Sequence, residues 1–210
     1  MLRSTRNVPD FVSRGFTGRR RTPQELGDRL PPGQYVESEF PVLTAGPTPY
    51  IEPEVWGFRI DGMVSQEREW TWDEFHELAF ATVPCDIHCV TKWSKLGTGF
   101  GGVSIDTLLE GVEPQGEYAM AYSYGGYTTN LRLADLTGGK AWVVTEHEGE
   151  TLPRDHGGPA RLLVPHLYFW KSAKWVAGLR IMDHDEPGFW EQNGYHNRGD
   201  PWREERYWND

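Results

Sequence analysis

The chain predicts an α+β fold in which mixed or antiparallel sheet dominates and helices are few and short. Three observations carry that prediction. Period-two apolar alternation recurs in short segments between Trp56 and Met182, only two segments carry helix-capping signals, and 24 glycines and 15 prolines in 210 residues punctuate the remainder with turns.

In chain order, Pro31-Pro32-Gly33 and Gly46-Pro47-Thr48-Pro49 predict irregular, extended chain as far as about residue 53. We divide the chain into a basic, largely irregular extension over residues 1–39 and a folded domain over 40–210. The first regular element starts near Val55: Trp56, Phe58 and Ile60 alternate on one face of a strand that ends at the Asp61-Gly62 turn. Thr71 and Glu74 have the spacing of a capping box, which predicts a helix to Phe80 with Phe75, Leu78 and Ala79 on its buried side. Cys89 to Ser94 opens a glycine-rich loop. Ser104 then caps a short helix, with Ile105, Leu108 and Leu109 on one side and Gly111 as its stop. Strands follow at 117–124, 141–146, 161–165 and 174–182, turning at Gly125-Gly126 and at Glu148-Gly149-Glu150. The tail from Asp183 to Asp210 is polar, aromatic and irregular, and the chain has no internal repeat.

Charge narrows the function. The net charge is -10, yet six arginines against Asp10 make the first 21 residues +5 and leave -15 on the rest, which excludes nucleic-acid binding by the body. No apolar run reaches the length of a membrane span. Arg19-Arg20-Arg21 is followed by T-P-Q-E-L-G-D-R-L-P-P-G where an export signal needs an apolar stretch, so a cytoplasmic protein is expected.

The only two cysteines lie in Cys85-Asp86-Ile87-His88-Cys89. Taken alone they fit packing, a redox pair, a nucleophile with one of seven histidines, or zinc held by Cys85, His88 and Cys89 with His76 or His147 as a fourth ligand. Their companions separate these readings: Cys89-Val90-Thr91-Lys92-Trp93-Ser94, then G-V-S-I-D-T-L-L, then D-H-G-G-P-A-R-L-L-V-P-H-L-Y-F-W-K-S-A-K-W from Asp155 to Trp175. In this order, over roughly residues 40 to 200, these segments resemble the molybdopterin-binding catalytic domain of the sulfite oxidase family, which includes the bacterial protein-methionine-sulfoxide reductase catalytic subunits.

That resemblance implies a residue-by-residue site. Cys89 is the protein thiolate on molybdenum, beside the sulfurs of the pterin dithiolene, while Cys85 packs and Trp93 is structural. His156-Gly157-Gly158-Pro159-Ala160-Arg161 is similar to the family's N/H-G-x-P-x-R element, implying that His156 and Arg161 hold the pyranopterin. Ser172, Ala173 and Lys174 fall on the phosphate-gripping segment, Ala173 through its backbone, with Lys171 as a further candidate. Ser123 falls where relatives place a side chain against the pterin, Thr44 and Ala45 where backbone meets the cofactor, and Tyr195 on the loop that sets a tyrosine over the metal. The chain departs from sulfite oxidases at two places: Leu43 stands for one substrate-binding arginine and Ser94 for the other.

The resemblance therefore implies a molybdenum-cofactor-dependent oxidoreductase that transfers an oxygen atom to or from a small sulfur or nitrogen compound. Sulfite is disfavoured, because a dianion in a dry pocket needs guanidinium partners. A reductase of S- or N-oxides is the alternative, and a non-catalytic zinc protein is a third reading. No haem-binding segment is present in the sequence, so electrons are expected from an external carrier.

Overall fold

The computed structural model describes residues 27–210; the first 26 residues of the extension, with the arginine cluster, lie outside the described residues. Two sheets form the body. The first is built on β5 (Trp93–Ser104), whose neighbours are β4 (Phe80–His88), β8 (Trp142–His147) and, in parallel, β1 (Tyr35–Val36). Beyond β8 lie β10 (Arg161–Leu163) and the two-residue β9 (Glu150–Thr151). The second sheet runs β3 (Arg68–Thr71), β2 (Gly57–Gly62), β11 (Val176–Met182), β6 (Tyr118–Ser123), β7 (Thr128–Arg132), with only β2 and β11 parallel. Among the described residues, four single-turn α-helices complete it: α1 (Trp72–His76), α2 (Ile105–Leu108), α3 (Leu133–Leu136) and α4 (Phe189–Gln192). The α+β prediction of mixed sheet with few short helices describes this architecture.

Strand periodicity gives the first sheet two buried faces. Val143 and Leu162 enter the main core with Phe58, Ile60 and Leu179 of the second sheet; their neighbours Val144 and Leu163 enter a second cluster with Ile87, Phe100, Trp93, Cys89, Tyr168 and Trp170. The second cluster is the floor of the site described below. Both capping predictions hold. Thr71 and Glu74 make a reciprocal box at α1, and Ser104 accepts from the Thr107 amide at α2. The first helix ends at His76, four residues early, because Phe80 already belongs to β4.

The glycine-rich stretch expected as a loop is instead part of β5, the longest strand, so that expectation is corrected. Glycine serves here for close approach: a Cβ at Gly102 would stand 2.1 Å from the Val143 carbonyl oxygen, and one at Gly101 would lie 2.6 Å from the Glu146 carboxylate. Pro84 sits in β4 without breaking the sheet because β4 is an edge strand paired only with β5. Within the predicted extension, Tyr35 and Val36 add to the sheet opposite Trp93 and Ser94.

Gly102→Ala is expected to destabilise the domain by at least about 2 kcal/mol, because the backbone of β8 must move to admit a methyl group. Urea unfolding of the two proteins, compared at matched m-values, measures it.

Candidate active site

The β4–β5 hairpin places Cys89 at its tip. The Cys89 amide donates to the Trp93 carbonyl (2.8 Å), the Lys92 amide returns to the Cys89 carbonyl (3.0 Å), and Lys92 closes the turn in the left-handed region (φ 78°) with its side chain exposed. Remote groups hold the tip from outside. Gln34 donates to the Cys89 carbonyl (3.1 Å), and Arg206, from the C-terminal tail, donates to the Val90 carbonyl (3.0 Å). Thr91 Oγ1 donates to the Cys89 sulfur (3.2 Å). Burial raises the Cys89 pKa against the opposing pull of Thr91 and Arg206, so without a metal this sulfur rests as a thiol and is no activated nucleophile.

The tip faces a cavity of about 550 Å³, whose other walls are residues 40–49, the stretch from His156 to Trp175, the Gly125–Tyr127 turn and the tail around Trp190 and Tyr195. No carboxylate lines it, although the chain carries -10; its charged side chains are Arg161 and Lys174. Arg161 is 2% exposed. Its guanidinium lies 4.0 Å over the Phe169 ring and donates to the carbonyls of His156 and Ser172, both at 2.7 Å. Among the described residues no acid pairs with it, and burial lowers its pKa to about 9. A guanidinium in this state is an unmet demand for an anion.

The neighbours of Arg161 point the same way. Gly157, at φ 112°, lets this segment close: a Cβ there would meet Arg161 Cβ at 3.0 Å and Lys174 Cα at 3.1 Å. Lys174 Nζ donates to the Asp155 carbonyl (2.7 Å), and burial, then Arg161, lowers its pKa to about 8. Burial, then Arg161 and Lys174, lowers His156 to about 4, so its imidazole is neutral at ordinary pH. The amides of Ala173 and Lys174 donate to no acceptor among the described residues. Free amides beside two cations make a phosphate cradle.

A strap over residues 38–51 closes one side. Three of its contacts fall on three consecutive residues: Phe40 stacks on His156 (3.9 Å, 19°), Thr48 donates to Asp155 (2.9 Å), and the Arg154 guanidinium lies over the Tyr50 ring (4.4 Å). Opposite it, Tyr195 stacks on Trp190 (4.9 Å, 16°) and meets the edge of Trp170 (4.9 Å). Burial raises the Tyr195 pKa, with Tyr207 and the Cys89 sulfur adding to the shift, and Tyr195 packs against the apolar cluster that holds Cys89.

All the residues expected at the site line this cavity except Ser123. Strand alternation turns Ala119, Ala121 and Ser123 inward, so Ser123 lies behind the wall with its Oγ buried and without a partner among the described residues, while Gly125 to Tyr127 form the wall itself. Ser172 is there, but its Oγ accepts from the Val164 amide (2.9 Å). Lys171 is corrected: its Nζ turns away into an ion pair with Glu191. The zinc reading fails on geometry. Cys85, His88 and Cys89 do not converge, His88 Nδ1 being joined to Ser94 Oγ (2.8 Å), and among the described residues no three His, Cys, Asp or Glu groups could hold a metal between them. Sequence reasoning missed Gln34, Phe40, Trp170, Trp190 and Arg206; Trp170 lies inside the quoted 155–175 segment, but neither it nor the others carried a signal of a role at the site.

A soft sulfur and two cations in one cavity suit an anionic, thiolate-ligated cofactor. The comparisons name the class. The family described as "Oxidoreductase molybdopterin binding domain" matches residues 45–190, and the chain belongs to it. It is a molybdopterin-dependent oxidoreductase, with molybdenum and molybdopterin as cofactor.

Among its relatives, the uncharacterized oxidoreductase YuiH of Bacillus subtilis is 39% identical over 91% of this chain and 98% of its own length. The protein-methionine-sulfoxide reductase catalytic subunit MsrP of Ralstonia nicotianae is 25% identical over 72% of this chain and 52% of its own. The sulfane dehydrogenase SoxCD of Paracoccus pantotrophus shares the fold, with a TM-score of 0.59 at 19% identity over 65% of this chain and 40% of that one. The chain thus spans nearly all of YuiH but about half of MsrP.

The titrations of this site are measurable in metal-free protein. His88 and His156 should each show an NMR midpoint near pH 4. Their folded pKa values lie below the unfolded value of about 6.5. The stability they contribute is therefore complete above that pH and is lost as the pH falls toward 4.

Proposed function

We propose that this chain transfers an oxygen atom to or from a small neutral sulfur or nitrogen compound and exchanges electrons with an external carrier. The single observation that carries this reading is the shared cavity. It holds the Cys89 thiol and the Tyr195 side chain in one cavity, among tryptophans, and gives its only cations, among the described residues, to the Arg161–Lys174 cradle. When bound, the molybdenum–pterin group supplies two-electron redox chemistry and oxygen-atom exchange. Cys89 would ligate the metal; Arg161, Lys174, His156 and the amides of Ala173 and Lys174 would grip the pterin and its phosphate, and Thr44 and Ala45 would contact it by backbone.

The chain's own part in turnover is to bind, orient and keep water out. Tyr195 keeps its proton, because burial raises its pKa, and its hydroxyl is suited to donating a hydrogen bond to an oxide oxygen. In the reductive direction a sulfoxide takes up two electrons and two protons and leaves as thioether and water. That direction is the second reading, and the wall chemistry favours a neutral oxide over sulfite. Leu43 is half exposed at the rim, and Ser94, fully buried against His88 and Gln34, offers the cavity nothing. Electron supply follows from the chemistry of the group alone. For the compartment we keep the cytoplasm, on the polar sequence after Arg19-Arg20-Arg21.

Two results test this. Cys89→Ser should fold yet lose turnover entirely, with molybdenum content per chain falling, since a hard hydroxyl replaces a soft thiolate. Reduced wild-type protein should be reoxidised by dimethyl sulfoxide or trimethylamine N-oxide in stopped-flow absorbance. Bleaching of the oxidised protein by sulfite, with no response to the oxides, would reverse the choice of substrate.

A further inference from the structure

The buried charge that the cofactor site does not use is the pair Lys171 and Glu191, whose side chains are both fully inaccessible. Lys171 Nζ contacts Glu191 Oε1 (2.6 Å) and also donates to the carbonyl of Asn197 (2.6 Å) and to Asn130 O and Oδ1 (2.7 and 2.9 Å). It thereby ties the tail to β7 on both sides of Tyr195, at positions 191 and 197. Glu191 Oε1 in turn accepts from Thr129 Oγ1 (2.9 Å) and from the indole N–H of Trp170 (2.8 Å). Trp170 and Trp190 are the two rings that hold Tyr195 between them. One carboxylate therefore orients Trp170 through a hydrogen bond and Trp190 through the chain, and the ammonium beside it anchors the far end of the same loop.

We propose that the Lys171–Glu191 pair is a positioning device for Tyr195, fixing its ring between Trp170 and Trp190 in the wall of the cavity that Cys89 also lines, while neither partner of the pair lines that cavity itself. A buried pair is a weak source of stability, because desolvation cancels most of its attraction, and its retention here serves geometry instead. The proposal rests on the reading of Tyr195 given above. Removing one partner strands the other charge in the interior and risks unfolding, so both charges are removed together in Lys171→Met/Glu191→Gln, which keeps an acceptor for Trp170.

The experiment is a double-mutant cycle on molybdenum-loaded protein, with reduced benzyl viologen and dimethyl sulfoxide as the assay pair. A second readout is the 19F NMR line of 3-fluorotyrosine placed at position 195. The paired substitution should lower kcat about tenfold when Tyr195 is present and less than about twofold in the Tyr195→Phe background, with molybdenum content unchanged. The fluorine line should broaden or split. An equal loss in both backgrounds, or an unchanged line, overturns the positioning device. A broadened line with Tyr195→Phe as active as the parent overturns instead the assignment of Tyr195 to the reaction, and the pair then has no catalytic purpose.

Discussion

A guanidinium buried without an acid partner is the constraint on which this structure turns. Arg161 meets three backbone carbonyls and a phenyl face, which take three of its five N–H donors and leave its charge unanswered. Interiors do not hold such a group without an answering anion. Its effect spreads to its neighbours, pressing Lys174 and His156 toward their neutral forms. On the proposed reading a phosphate-bearing pterin would answer these groups, and the free amides of residues 173 and 174 would complete its seat.

The second constraint is softness. A single thiol enters the cavity, at the tip of a hairpin braced by Gln34, Thr91 and Arg206 from three separate parts of the chain. The sheet below it is closed by glycines that allow β5 and β8 to touch, so the tip rests on a rigid base. Support of this kind for the proposed metal ligand, with the stacked aromatic wall of Trp170, Trp190 and Tyr195 around it, leaves selectivity to shape and polarity. On the proposed reading, the absence of arginine at positions 43 and 94 is what would separate this cavity from one built for sulfite, an electrostatic rather than an architectural distinction.

Much of this was legible in the sequence because local chemistry is written locally. The capping residues Thr71 and Ser104 and the alternating strands announced themselves within a few positions, whereas Cys89, His156, Arg161 and residues 172–174 were legible only through the ordered resemblance to a family. What escaped did so for physical reasons. β5 was mistaken for a loop because glycine signals a turn and close strand packing with the same letter. Ser123 was placed on the wall because sequence order gives its strand but not which face meets the cavity. Lys171 looked like one more phosphate ligand, and only the fold shows Glu191 waiting on the other side. Gln34, Phe40 and Arg206 act across long sequence separations, and in R-E-E-R the last arginine is indistinguishable from a solvated charge until it is seen buried.

The most direct test of the account is X-ray absorption at the molybdenum edge, comparing purified wild-type protein with any molybdenum-retaining fraction of Cys89→Ser. The account predicts a molybdenum centre in the wild type whose sulfur shell is larger by one scatterer than in the variant. Identical sulfur shells in the two proteins, or wild-type protein from a cofactor-producing host that carries no molybdenum, would contradict it.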